Sequence, residues 1–144
     1  MVNAVKQSLA HELRPILLRL ERQLRRESHA FGVTGAQVSL LARISHQPGI
    51  TASELVDREG ISAPAVSRHL IGLEETGLIR KDRSSDRRRA PLSLTTEGRR
   101  VLRAVKRQRT AWLADRLDRL PPDDQAAIEA AIGPLEALLD NDSG

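Results

Sequence analysis

The chain contains no cysteine. Disulfides, thiolate catalysis, cysteine-held zinc and a thiol-based redox switch are thereby excluded. Aromatic residues are nearly as scarce, with Phe31 and Trp112 alone among 144 residues. An aliphatic core of Leu, Ile, Val and Ala with so few aromatic and β-branched runs favours helices over sheet. Long apolar runs are also missing, so no transmembrane helix is expected. His11, Glu12, Arg14 and Arg19 interrupt the apolar positions near the N-terminus. A signal peptide needs an unbroken apolar core, so the expected location is cytoplasmic. Glycine-rich phosphate loops, nucleophile elbows and paired catalytic carboxylates do not occur, which argues against an enzyme and against a bound cofactor. The histidines His11, His29, His46 and His69 have no partner at ligand spacing, so no metal site is expected.

What is present is an uneven charge. The net charge is only +4. Between Arg80 and Arg109, however, twelve Lys/Arg stand against three Asp/Glu, whereas residues 110–144 hold two Arg and eight Asp/Glu. A local excess of that size is the footprint of a protein that meets a polyanion. A solvated basic helix face is the alternative on charge alone.

The length fits one domain over residues 1–144 with a core that needs no staples. Leu9, Leu13, Leu17, Leu20 and Leu24 recur every three or four residues and predict a helix over about 4–28, bent at Pro15. Thr34 with Gln37, flanked by Val33 and Val38, has the spacing of a capping box and hydrophobic staple. The same grammar returns at Thr51 with Glu54, flanked by Ile50 and Leu55. Gly60 should end that short helix as a left-handed cap, and Ser62 should open the next, with Pro64 harmless in its first turn. Gly77 should end it in turn, with Leu78 reaching back to Leu73. Two strands are expected near 78–81 and 91–94, the second held to an edge role by Pro91. Thr95 should cap a long helix to about residue 120, and Pro121-Pro122 should separate it from a last helix carrying Ile128, Ile132, Leu135 and Leu139. The fold class is therefore mainly α with a small antiparallel β wing.

Residues 51–76 read as a helix-turn-helix, in which the second helix enters a DNA major groove. With about 3.6 residues per turn, Val66, Leu70 and Leu73 share one face of it, leaving Pro64, Ser67, Arg68 and Ile71 opposite. Ser and Arg can meet phosphates and base edges, and Arg suits guanine. Ser62, Ala63, Pro64 and Ala65 keep the helix start slim enough for close approach, where its free N–H groups favour phosphate. The strand–loop–strand that follows carries Arg80, Lys81, Arg83, Arg87, Arg88 and Arg89 around Asp82 and Asp86. Arginines on such a wing fit a narrow, electronegative minor groove. Asp86 is expected to pair with a loop arginine and hold the wing's shape, adding little stability.

The stretches T51-A-S-E-L-V, S62-A-P-A-V-S-R-H-L, L73-E-E-T-G-L-I-R80, D86-R-R and L94-T95 resemble the MarR family of bacterial transcriptional regulators. The resemblance implies a winged helix-turn-helix over 34–95. It implies a homodimer on double-stranded DNA, with dimerisation helices at 4–28 and 96–140. It also implies a repressor released by a small-molecule effector. It places Ser62, Pro64, Ser67 and Arg68 toward DNA, and Arg88 in the minor groove with Asp86 as its brace. Three consecutive arginines, Arg87 to Arg89, depart from the family pattern and leave open which one inserts. Pro91 departs as well. Trp112, on the long helix, is a candidate for lining an effector pocket or for the dimer core. The leucine stripe of the first helix fits a dimer seam better than a membrane-surface helix. Two rival classes stay open: an architectural DNA-binding protein with little sequence preference, and a ligand-binding protein or enzyme with an incidental basic face.

Overall fold

The computed structural model describes residues 3–84 and 86–140, with the side chain of Arg87 also outside that description. It divides into two compact units, Met1–Arg109 and Thr110–Gly144. The order of elements is α1 (Ala4–Arg26), α2 (Gly35–His46), α3 (Ala52–Glu59), α4 (Ala63–Glu75), β1 (Ile79–Lys81), β2 (Leu92–Leu94), α5 (Thr96–Asp118) and α6 (Pro122–Ala137). Two short 3-10 turns, at His29–Phe31 and Arg87–Arg89, lie where the sequence suggested only loop. Among the described residues no helix is long and apolar enough to cross a membrane.

The first unit is built around one aliphatic core. Leu40, Leu41 and Ile44 of α2, Leu55 of α3, and Val66, Leu70 and Leu73 of α4 are fully buried together. Leu92 and Leu94 close this core from the sheet, and Val101, Leu102 and Val105 close it from α5. The two staples work as their spacing implies, since Val33, Val38, Ile50 and Leu55 are all buried. At α2 both arms of the capping box form, Thr34 Oγ1 accepting from the Gln37 N–H at 3.1 Å while Gln37 Oε1 accepts from the Thr34 N–H at 3.0 Å. At α3 only one arm does. Thr51 Oγ1 accepts from the Glu54 N–H at 3.2 Å, but the Glu54 carboxylate takes the Thr51 hydroxyl and the Gln47 amide instead of a backbone N–H. The capping box read there is thus a plain N-cap, because Gln47 competes for the glutamate.

The sheet has two antiparallel strands in the register Ile79↔Leu94, Arg80↔Ser93 and Lys81↔Leu92. Pro91 precedes β2 and gives its carbonyl to the Asp82 N–H at 2.9 Å. β2 is an edge strand of this two-stranded sheet, as Pro91 led one to expect, and its outer side also pairs with a loop. The Leu92 N–H donates to the Ile50 carbonyl at 3.0 Å, and the Gly49 N–H donates to the Leu92 carbonyl at 2.9 Å. A proline one residue ahead of the strand removes no ladder donor, so the loop between α2 and α3 can pair there.

α1 runs unbroken through Pro15 and buries none of its residues within this chain. Val5, Leu9, Ile16, Leu17, Leu18 and Leu20 are all exposed. Its last turns are fastened to α5: Arg109 Nε donates to the Leu24 carbonyl at 3.0 Å, and the Gln108 amide donates to Glu27 at 3.0 Å. Burial, with the nearby Arg25 adding to it, holds the Arg109 guanidinium below its ordinary value. An arginine stays charged under such a shift, so the contact is charge-assisted. In the second unit α6 likewise buries nothing, and Ile128, Ile132, Leu135, Leu138 and Leu139 stand exposed. The Gln125 amide donates to the carbonyls of Leu117 and Leu120, both at 3.0 Å, closing the turn into α6.

Candidate nucleic-acid interface

α3, α4 and the wing meet around a common concave face. α3 ends at Gly60, whose φ of 65° is left-handed and free of strain only for glycine. Ile61 then leads to Ser62, whose backbone is extended and whose Oγ accepts from the Ala65 N–H at 3.3 Å. A serine hydroxyl at this position satisfies one of the orphan donors at a helix start and leaves others facing outward. α4 ends in a Schellman cap, with Leu78 N–H to Leu73 carbonyl at 2.9 Å and Gly77 N–H to Glu74 carbonyl at 3.0 Å. These two ends fix where α4 starts and stops, and its buried residues Val66, Leu70 and Leu73 fix its rotation.

The face left outside carries Ser62, Pro64, Ser67, Arg68 and Ile71, all exposed, with Ala65 half-buried beside them. The sequence placed these residues opposite the core, and they stand there. His69 is only half-buried, at the margin of the core. Its direction on the helix lies between the buried stripe and the outer face, which leaves the ring partly in water.

The wing loop is a capped turn rather than a bare loop. Asp86 Oδ1 accepts from the Arg88 N–H at 3.0 Å and opens the 3-10 turn Arg87–Arg89. Its other oxygen lies 3.9 Å from Arg89 Nε. The expected brace therefore acts chiefly through a main-chain hydrogen bond, and the exposed ion pair adds little. Ser53 Oγ donates to the Arg88 carbonyl at 3.4 Å, which ties the turn to α3. Arg43 Nε donates to Glu59 at 3.0 Å and ties α3 to α2. Neither tie was legible in the sequence, since each joins residues far apart along the chain. Arg83, Arg88 and Arg89 are exposed.

A cleft of about 470 Å³ opens between these elements, lined by Ser53, Val56, Pro64, Ser67, Ile71, Lys81 and Arg88 among others. It brings α4 and the wing arginine Arg88 together. The basic excess divides between two places. Six Lys/Arg lie in Arg80–Arg89, and six more lie on α5 up to Arg109. α5 begins against Leu78, at the C-terminal end of α4, and none of its basic residues lines the cleft. There Arg100 pairs with Glu97 through two hydrogen bonds, which hold the exposed Glu97 carboxyl below its usual range. Trp112 lies in the second unit, half-buried, with the Arg116 guanidinium 5.0 Å above its ring.

A slim, serine- and arginine-bearing helix beside an arginine wing is the equipment of a winged helix-turn-helix. The profile of the MarR family matches residues 31–90. A crystal structure of a candidate transcriptional regulator from Pseudomonas aeruginosa PA01 is 31% identical with a TM-score of 0.79, covering 97% of this chain and 98% of that one. The chain belongs to the MarR family. The crystal structure of MarR itself is 25% identical at a TM-score of 0.73, over 90% of this chain and 98% of that chain. An uncharacterised HTH-type transcriptional regulator of Mycobacterium bovis is 29% identical over 133 residues, 92% of this chain and 93% of the relative. As a MarR-family protein the chain is a DNA-binding transcriptional regulator and not an enzyme.

Proposed function

We propose that the chain acts as a homodimer on a pseudo-palindromic operator in double-stranded DNA and represses the adjoining genes. Residues 34–95 form the DNA-reading part, and residues 4–28 and 96–140 the dimerisation helices, within a single functional domain. The observation that carries this reading is the exposed face of α4. Pro64, Ser67 and Arg68 point away from the core on a helix rigidly capped at both ends. α4 enters the major groove, with Arg68 at a guanine edge and the α4 start, Ser62 to Ala65, close to a phosphate. Arg83, Arg87, Arg88 and Arg89 run along the backbone and the minor groove, with Arg88 inserted and Asp86 holding the turn. Dimerisation is supported separately by α1 and by α6, each with an apolar stripe that nothing in its own unit covers. A two-fold dimer would set its two reading helices about 34 Å apart, one turn of DNA.

Release by a small-molecule effector rests on the family alone. Trp112, half-covered by Arg116, would report such binding by its fluorescence. Footprinting in the presence of competitor DNA tests the operator reading. Protection of one inverted repeat is the expected result. Broad protection would point to an architectural protein, and no binding at low salt would make the basic face incidental.

A further inference from the structure

Ile71 is the one large hydrophobic residue left exposed among the described residues between Thr34 and Thr95. It is 48% exposed, while the other leucines, isoleucines and valines of that stretch are buried or half-buried. It does not stand on a neglected surface. Pro64, Ser67, Arg68 and Ile71 follow one another at i, i+3, i+4 and i+7, which places Ile71 one turn beyond Ser67 and Arg68 on the outward face. It borders the cleft between α3, α4 and the wing, where Val56, Pro64 and Ile71 supply apolar lining and Lys81 and Arg88 supply cations.

A lone exposed isoleucine on a protein surface is common and needs no function. Three features set this one apart. The core beneath it is closed without it, so folding does not require its side chain. Its neighbours on the outward face of α4, Ser67 and Arg68, are small or hydrogen-bonding, so it stands as an apolar element beside groups suited to base edges. Of the cations beside it Lys81 pairs with Glu74 at 3.7 Å, while the exposed Arg88 suits a phosphate that flanks a groove. The major-groove edge of DNA offers a single apolar group, the 5-methyl of thymine, and aliphatic side chains recognise it by contact.

We propose that Ile71 is a specificity-determining residue that selects thymine in each half-site by packing against its 5-methyl group. This rests on the operator reading above. Arg68 reads hydrogen-bonding edges, and Ile71 supplies a separate, apolar element of the code. Cytosine presents no methyl at that position and a donor in place of the thymine acceptor, so a T·A to C·G change removes the contact and leaves the isoleucine against a polar edge.

The test uses the tightest duplex recovered by selection from random DNA, with each thymine replaced in turn by deoxyuridine. Deoxyuridine removes the methyl and keeps the base pairing. Wild-type protein should lose about fourfold in affinity for a single replacement at either of two symmetry-related positions, the worth of roughly one buried methyl. The Ile71→Ala variant should bind the thymine and uracil duplexes equally at that pair, and Ile71→Val should fall between. Unchanged helical circular dichroism and melting confine the comparison to folded protein. Equal losses for wild type and Ile71→Ala at every position would overturn the role of Ile71 while leaving the operator reading intact. The same holds if no position responds to the methyl. Failure of selection to enrich any duplex would overturn both.

Discussion

Gly98 lies so close to Leu78 that a Cβ on it would stand 2.0 Å from the Leu78 carbonyl oxygen. That oxygen accepts the Thr95 N–H at 3.1 Å, while Thr95 Oγ1 accepts the Gly98 N–H at 3.0 Å. The start of α5, the end of α4 and the root of the sheet are therefore locked through one glycine. Backbone cannot yield as the tip of a side chain can. Gly98→Ala should cost about 3 kcal/mol, the upper part of the range for overpacking, read as a shift in the urea midpoint. A variant as stable as wild type would mean that the close approach is not rigid.

Asp86 separates two roles that a carboxylate can play in a basic loop. Asp86→Ala removes the cap on the Arg88 N–H and should weaken DNA binding although a negative charge is lost. Asp86→Asn keeps an oxygen to accept that N–H and removes only the exposed pair with Arg89, so it should bind at least as well as wild type. Tighter binding by Asp86→Ala would mean that the carboxylate merely repels phosphate. Affinities of the two variants at one salt concentration decide the matter.

Much of this was legible because it is local. The caps at Thr34, Thr51, Ser62 and Thr95, the Gly77-Leu78 ending and the stripe Val66-Leu70-Leu73 each depend on residues within a few positions, so their spacing records them. What the sequence concealed is what distance conceals. The tie from Ser53 to Arg88, the pairing of Leu92 with Gly49 and Ile50, and the approach of Gly98 to Leu78 join residues 20 to 43 positions apart. The half-formed capping box at Thr51 shows the same limit, since Gln47 diverts Glu54 from outside the motif. The wing's arginines were visible as charge, but their 3-10 turn depends on a two-residue Asp86–Arg88 cap too short to leave a periodic signal.

Arginines that meet phosphate and arginines that read bases differ in what salt does to them. Arg68→Ala should lower operator affinity by about 1–3 kcal/mol, with a smaller loss on unrelated DNA. Each of Arg87→Ala, Arg88→Ala and Arg89→Ala that removes a phosphate contact should lower the slope of log K against log salt by about 1. The one that occupies the minor groove, expected to be Arg88, should also erase a preference for A·T-rich flanks. An equal loss on all sequences for Arg68→Ala would assign it to phosphate.

The apolar stripes of α1 and α6 predict self-association. Sedimentation should give a dimer at micromolar concentration. Charged substitutions on the exposed stripe, such as Leu9→Glu with Leu17→Glu, should dissociate it. They should leave the melting of the winged core in place, because α1 buries no residue of its own. A stable wild-type monomer would remove the basis for two-fold operator recognition.

Selection of bound fragments from genomic DNA is the most direct measurement of whether the exposed face of α4 reads sequence as one of a symmetric pair. The expected result is a shared inverted repeat whose half-site centres lie about 10 base pairs apart or a multiple of it, one turn of the duplex. That repeat should no longer be enriched when Arg68→Ala protein is used. Fragments with no common sequence, or the same enrichment by wild type and Arg68→Ala, would contradict it.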